Sequence, residues 1–138
     1  MPCGQGGGHM ADRQEQTILV VDDNDDVRRL LKKVLEASGY GVAEAASGEE
    51  ALEFTQKAVP DLVLMDMRLP GVCDGLEATR RLKRDPRLSG VPVVALTANV
   101  LEKDRELAMA AGCSGFIGKP VDITSLSSLI ERYMVIRR

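Results

Sequence analysis

A chain of 138 residues, 44% hydrophobic and 28% charged, has the size and composition of one globular domain with its own core. The net charge of −3 and the lack of a broad Lys/Arg stripe argue against a nucleic-acid surface. No apolar run reaches the ~20 residues of a membrane span, and the N-terminus has no apolar signal segment. Cys3, Cys73 and Cys113 form no CxxC pair, and an odd count argues against a disulfide framework, so a reduced, cytoplasmic setting is expected and Cys73 and Cys113 are read as inert. The single histidine, His9, lies in the Gly-rich leader "MPCGQGGGHM". Residues 1–12 are read as a disordered expression remnant and residues 13–138 as the domain, which therefore has no histidine for a triad, a zinc site or a phosphohistidine of its own.

Short apolar or β-branched runs recur along the domain. They are Thr17–Val21, Tyr40–Ala45, Asp61–Asp66, Val91–Thr97 and Gly115–Gly118. Most are continuously apolar, as strands buried on both faces are; the second is weaker and is expected at an edge. Helical patterns lie between them. Val27, Leu30, Leu31, Val34 and Leu35 follow the i, i+3, i+4, i+7, i+8 rule, with Asp25 and Asp26 in the first turn, where negative charge suits the helix dipole. "SGEE" from Ser47 reads as a capping box. A third helix follows Gly75; its Arg80, Arg81, Lys83 and Arg84 are read as a solvated face. A fourth is expected over Asn99–Ala111, with mostly alanine on its inner side, and a fifth carries Leu126, Leu129, Ile130, Tyr133 and Met134. Gly39 and Gly112 stand where a left-handed helix C-terminus is wanted. Strand–helix alternation with short connections predicts an α/β fold built on a doubly wound parallel sheet.

Such sheets bind ligands at the carboxyl ends of their strands. The first strand ends in Asp22 and Asp23, the third in Asp66 and the fourth in Thr97; the fifth is followed by Lys119 and Pro120. One edge thus gathers three carboxylates, a hydroxyl and an ammonium. Clustered carboxylates are tolerable when a cation holds them, and hard oxygen ligands without His or Cys select Mg²⁺ or Mn²⁺. Magnesium commonly shares itself with phosphate, and Lys119 suits a phosphoryl oxygen or Asp66. The set reads as a phosphoryl site with a carboxylate nucleophile.

The runs "VVDDND", "LVLMDMRLPG", "VVALTAN" and "GFIGKPV" resemble the receiver domain of two-component response regulators, over about Gln16 to Tyr133. The resemblance implies a CheY-like, flavodoxin-like five-stranded parallel sheet of order 2-1-3-4-5. It implies Asp66 as phosphoacceptor, Asp23 as direct Mg²⁺ ligand, Asp22 as a ligand through water, and the backbone carbonyl of Arg68 as a further metal contact. Thr97 resembles the hydroxyl that turns toward the phosphoryl group, and Lys119 the lysine of the site, before a cis bond to Pro120. Phe116 occupies the switch-aromatic position, with a fixed core aromatic as the competing reading. Arg68 and Asn99 take the positions that tune hydrolysis. Two departures stand out: "PGVCDG", from Pro70 to Gly75, is one residue longer than the family spacing, and the switch aromatic is Phe rather than Tyr.

The resemblance further implies a signalling switch, not a turnover enzyme. It would take its phosphoryl group from a sensor histidine kinase or a histidine phosphotransfer protein. It would then signal to a downstream protein target through its fourth helix, fifth strand and fifth helix, as a monomer or weak homodimer without nucleic acid or membrane. Either a single-domain regulator or a receiver belonging to a hybrid histidine kinase or larger regulator fits; the short tail favours the first. A Mg²⁺-dependent aspartyl phosphatase is the rival enzyme class, but its acid/base position, two residues after Asp66, holds Arg68. A flavin-binding module would want a Ser/Thr/Gly-rich phosphate loop where this chain has "DDNDD".

Overall fold

The computed structural model describes residues 16–98 and 102–137. The expected leader, with Cys3 and His9, and residue Asn99 lie outside them. Five strands alternate with helices: β1 (Thr17–Val21), α1 (Asp25–Ala37), β2 (Gly41–Ala45), α2 (Gly48–Lys57), β3 (Leu62–Asp66), α3 (Gly75–Arg84), β4 (Val93–Thr97), α4 (Glu102–Ala111), β5 (Gly115–Gly118) and α5 (Leu126–Arg137). A 3₁₀ turn, Pro86–Leu88, precedes β4 and was not foreseen from the pattern. All pairings are parallel and the order is β2-β1-β3-β4-β5, so β2 is an edge strand as expected.

The strands are buried on both faces because their side chains alternate between two cores. Leu19, Val21, Val63, Met65, Val93 and Ala95 pack with Ala51, Ala78, Leu82 and Ala108 of α2, α3 and α4. Ile18, Val20, Leu62, Leu64, Val94 and Leu96 pack with Leu31 and Leu35 of α1 and Leu126, Ile130 and Met134 of α5. Alanines on α3 and α4 let those helices lie close to the sheet, which is why their apolar stripes are poor in large residues.

Strand starts shift inward by one or two residues for identifiable reasons. Tyr40 belongs to the end of α1, donating its amide to Leu35 O at 3.1 Å, while Gly39 takes φ 99°. Asp61 uses its side chain to accept from Thr17 N at 2.7 Å. Val91 closes the 3₁₀ turn on Leu88 O, and Pro92 has no N–H for the ladder. The caps are close to the expected ones. Ser47 accepts from Glu50 N at 3.1 Å, while the Glu50 carboxylate reaches one residue beyond the usual box, to Ala46 N at 3.0 Å. Gly112 takes φ 114°. Lys83 departs from the solvated-face reading: it is half-buried, and its ammonium donates to the Val91 carbonyl instead of facing water. Arg80 and Arg81 do face water and pair with Glu77. Cys73 and Cys113 are buried free thiols, and burial pushes Cys113 up to about 11, too high for a reactive thiolate.

The longer loop between β3 and α3 is absorbed as an outward bulge. Gly71 takes φ 89°, Val72 is 89% exposed, Cys73 turns back into the core, and Asp74 caps α3 by accepting from Glu77 N at 2.9 Å. Gly75 then passes directly against the end of β3. A Cβ there would run into the Asp66 carbonyl oxygen and come within 2.6 Å of Met67 Cα, both backbone atoms that cannot swing aside. Gly75→Ala is expected to lower unfolding stability by about 2 kcal/mol, an overpacking cost. Urea denaturation of the two proteins measures it, and equal midpoints would contradict this tight approach.

Candidate functional site

The turn after β1 places two carboxylates without spending either on the helix cap. Asn24 serves as N-cap of α1, accepting from Val27 N at 3.0 Å, and Asp25 and Asp26 fill the first turn. Asp22 is fully buried. Its amide donates to Ala45 O at 3.1 Å, and its Oδ1 accepts from Asn24 N at 2.9 Å. Asp23 is exposed at the mouth. Asp66, at the end of β3, is 4% exposed and its Oδ1 accepts from Arg68 N at 3.0 Å. One carboxylate oxygen from each of Asp22, Asp23 and Asp66 can be chosen so that all three lie within 4.8 Å of one another.

Lys119 reaches this cluster from the end of β5, its amide held by Thr97 O at 2.8 Å and its peptide bond to Pro120 cis. Its Nζ lies 2.9 Å from Asp22 Oδ2 and 3.4 Å from Asp66 Oδ2. One ammonium therefore lies between two of the three carboxylates. Burial works against the Lys119 charge, but Asp22 and Asp66 outweigh it and raise its pKa. Asp66 is also raised, by burial first and by the Asp22 charge, against the Arg68 amide and Lys119, which favour its ionised form. Asp22 Oδ2 receives no aligned hydrogen bond despite being buried beside Lys119. A buried carboxylate oxygen with the Lys119 ammonium beside it, next to two more carboxylates and with no His or Cys in the cluster among the described residues, fits a hard divalent cation.

Behind the carboxylates is a cavity of about 140 Å³ lined by Met67, Arg68, Thr97, Arg105, Ala108 and Phe116. Thr97 is buried at its edge. Phe116 is half-buried, and the Arg105 guanidinium stacks over its ring at 4.4 Å from the centroid, a cation–π contact. Arg68 is exposed at the same opening. The structure thus brings Asp22, Asp23, Asp66 and Lys119 together and sets Thr97, Phe116 and Arg68 beside them. Sequence reasoning missed Arg105, whose only signal was its position within a helix of uncertain inner face. It also missed Arg28, which donates to the Asp22 carbonyl at 2.7 Å.

The raised Asp66 carboxyl has a defined consequence for stability. The unfolded chain gives up this proton at lower pH than the folded one. The favourable contribution is complete below the unfolded carboxyl range, near pH ~4, and is lost as pH rises through the folded value. In metal-free buffer, Asp66→Asn should gain stability over wild type as pH rises from about 4 to about 7. Thermal melts across that range check it; a constant difference would contradict the burial effect.

Comparison with known proteins agrees with this geometry. The family model for the response regulator receiver domain matches residues 18–131. The polar-differentiation response regulator DivK of Brucella ovis is 38% identical over 119 residues, spanning 86% of this chain and 96% of that one. A putative response regulator from Chloroflexus aurantiacus superposes with a TM-score of 0.82 at 34% identity, covering 87% of this chain and 98% of that one. The receiver domain of a sensor histidine kinase from Pseudomonas aeruginosa PAO1 was crystallised with a magnesium ion coordinated in its active-site cleft. It superposes at 0.80 with 35% identity, covering 87% and 98%. With the strand order, the family match and these relatives in agreement, the chain belongs to the response regulator receiver domain family.

Proposed function

We propose that this receiver is a phosphorylation-dependent switch in which Asp66 accepts a phosphoryl group from phosphohistidine on a sensor histidine kinase or histidine phosphotransfer protein. The observation that carries this reading is the convergence of Asp22, Asp23, Asp66 and Lys119 at one sheet edge. An Asp66 carboxylate oxygen attacks phosphorus, the O–P bond forms, the P–N bond to the donor imidazole breaks, and the imidazole leaves with the electron pair. The Lys119 ammonium meets the charge carried by the phosphoryl oxygens. Asp22, Asp23 and Asp66, with the Arg68 carbonyl, would hold Mg²⁺, or Mn²⁺ in its place, which supplies charge neutralisation on the phosphoryl oxygens. The magnesium-bearing receiver from Pseudomonas aeruginosa supports this choice of metal.

Thr97 then turns its hydroxyl to a phosphoryl oxygen, and the Phe116 ring leaves Arg105 for the cavity between them. That movement changes the face of α4, β5 and α5, which docks a downstream protein in the cytoplasm. The domain catalyses only its own phosphorylation and hydrolysis. Its likeness to the receiver of a sensor kinase supports a second setting for the same switch, inside a larger protein.

Incubation with acetyl phosphate and Mg²⁺ should add one phosphoryl mass to the intact protein and none to Asp66→Ala. Persistence of the added mass in the variant would overturn the assignment. Arg68, exposed and lining the cavity beside the site, would shield the acyl phosphate from in-line water. Arg68→Ala should hasten phosphate loss several-fold, a barrier change on the order of 1 kcal/mol. Decay of the phosphorylated mass with time measures it, and an unchanged half-life removes the shielding role.

A further inference from the structure

We propose that Arg28 is a positioning residue of this site, fixing the Asp22–Asp23 peptide so that the Asp23 carboxylate is held toward a divalent cation. The inference rests on the metal reading of the carboxylate cluster given above. Arg28 lies in the first turns of α1, and its side chain is only 13% exposed. Its guanidinium uses all three nitrogens on three different acceptors. Nη1 donates to the Asp22 carbonyl at 2.7 Å, Nη2 to Asp25 Oδ1 at 2.6 Å, and Nε to Glu44 Oε1 at 3.0 Å. The fork therefore ties the turn after β1 to the helix it enters and to the edge strand β2.

The Asp22 contact gives this fork its functional weight. That carbonyl belongs to the peptide leading into Asp23. Asp22 itself is already fixed at its amide by Ala45 O and at its side chain by Asn24 N and Lys119. Arg28 supplies the remaining restraint, and it acts on the peptide that carries the exposed carboxylate. Glu44 holds the fork from the far side and is itself approached by Lys32 Nζ at 3.4 Å. A planar guanidinium spans three acceptors in fixed directions; a lysine ammonium is a point charge on a flexible stem and does not.

Charge and position predict opposite signs, which makes the idea testable. A positive group beside a cation site repels the cation, so removing its charge alone would tighten Mg²⁺ binding. Removing its positioning would weaken it. Arg28→Lys keeps the charge and loses the fork, whereas Arg28→Gln loses both. By calorimetric titration with Mg²⁺, Arg28→Lys is expected to bind about ten-fold more weakly than wild type, the lower end of what loss of an outer-shell partner of a metal ligand costs. Arg28→Gln should also be weaker. In the acetyl phosphate reaction the half-saturating Mg²⁺ concentration should rise for both, while the rate at saturating Mg²⁺ stays near wild type. Glu44→Gln, which loosens the fork without replacing a residue of α1, should weaken binding by a smaller factor than Arg28→Lys does, and serves if the Arg28 variants do not fold. Unchanged affinity in Arg28→Lys with tighter binding in Arg28→Gln would show a charge effect alone and overturn the proposal. So would unchanged affinity in Glu44→Gln beside unfolded Arg28 variants. Absence of Mg²⁺ binding by the wild-type protein would instead overturn the metal reading and this inference with it.

Discussion

Asp22 and Asp66 are both buried at the carboxyl edge of the sheet, and one lysine ammonium lies between them. Buried like charges repel, and desolvation penalises each of them further, so this arrangement survives only because the surrounding structure leaves the side chains no alternative. Strands β1 and β3 are adjacent and in parallel register, with Val21 opposite Met65, which brings Asp22 and Asp66 to the same level of the sheet. The apolar side chains of both strands are fully packed in two cores, so neither strand can slide to separate the charges. The fold holds together a group of carboxylates that would disperse in water, an arrangement that suits the proposed cation and phosphoryl site.

The elements around the edge are specialised in keeping those carboxylates unspent. Asn24 caps α1, so neither Asp22 nor Asp23 has to. Asp74 caps α3, so Asp66 does not have to. Gly75 lets α3 start against the backbone of Asp66 itself, which fixes the end of β3 from below. Lys119 is anchored through its amide to the Thr97 carbonyl, so the ammonium and the Thr97 side chain move with the ends of the same strand pair, β4 and β5.

The other half of the edge is loosely filled. The cavity beside Thr97 and Phe116 lies next to the densely packed carboxylate cluster, and α4 covers it with alanine and with the side chain of Arg105. A tight site beside an underfilled space suits a two-state element, since a rigid core transmits a small displacement only where there is room for something to move. The Arg105 guanidinium over the Phe116 ring holds that half-buried ring in the position seen here.

The fold class and the convergence of Asp22, Asp23, Asp66 and Lys119 were legible in the sequence. Short, continuously apolar, β-branched runs alternating with amphipathic helical stretches read as strands of a covered sheet, and right-handed crossovers bring their C-terminal ends to one edge. The caps at Ser47, Gly39 and Gly112 were legible too, because their chemistry is local. Interactions between distant segments were not. Lys83 reads as surface charge on a helical wheel, yet it folds back to the Val91 carbonyl, a partner eight residues away across a turn no pattern announced. The outward bulge at Val72 depends on Cys73 finding space against Gly48 in another helix. Arg28 looks like one of several charges on α1 until the Asp22 carbonyl and Glu44 of β2 are brought to it. Sequence determined which strand-end groups would meet, since periodicity and strand ends are properties of the chain. Only the tertiary structure decided how tightly each is held, because that depends on which atoms from distant segments fill the space around it.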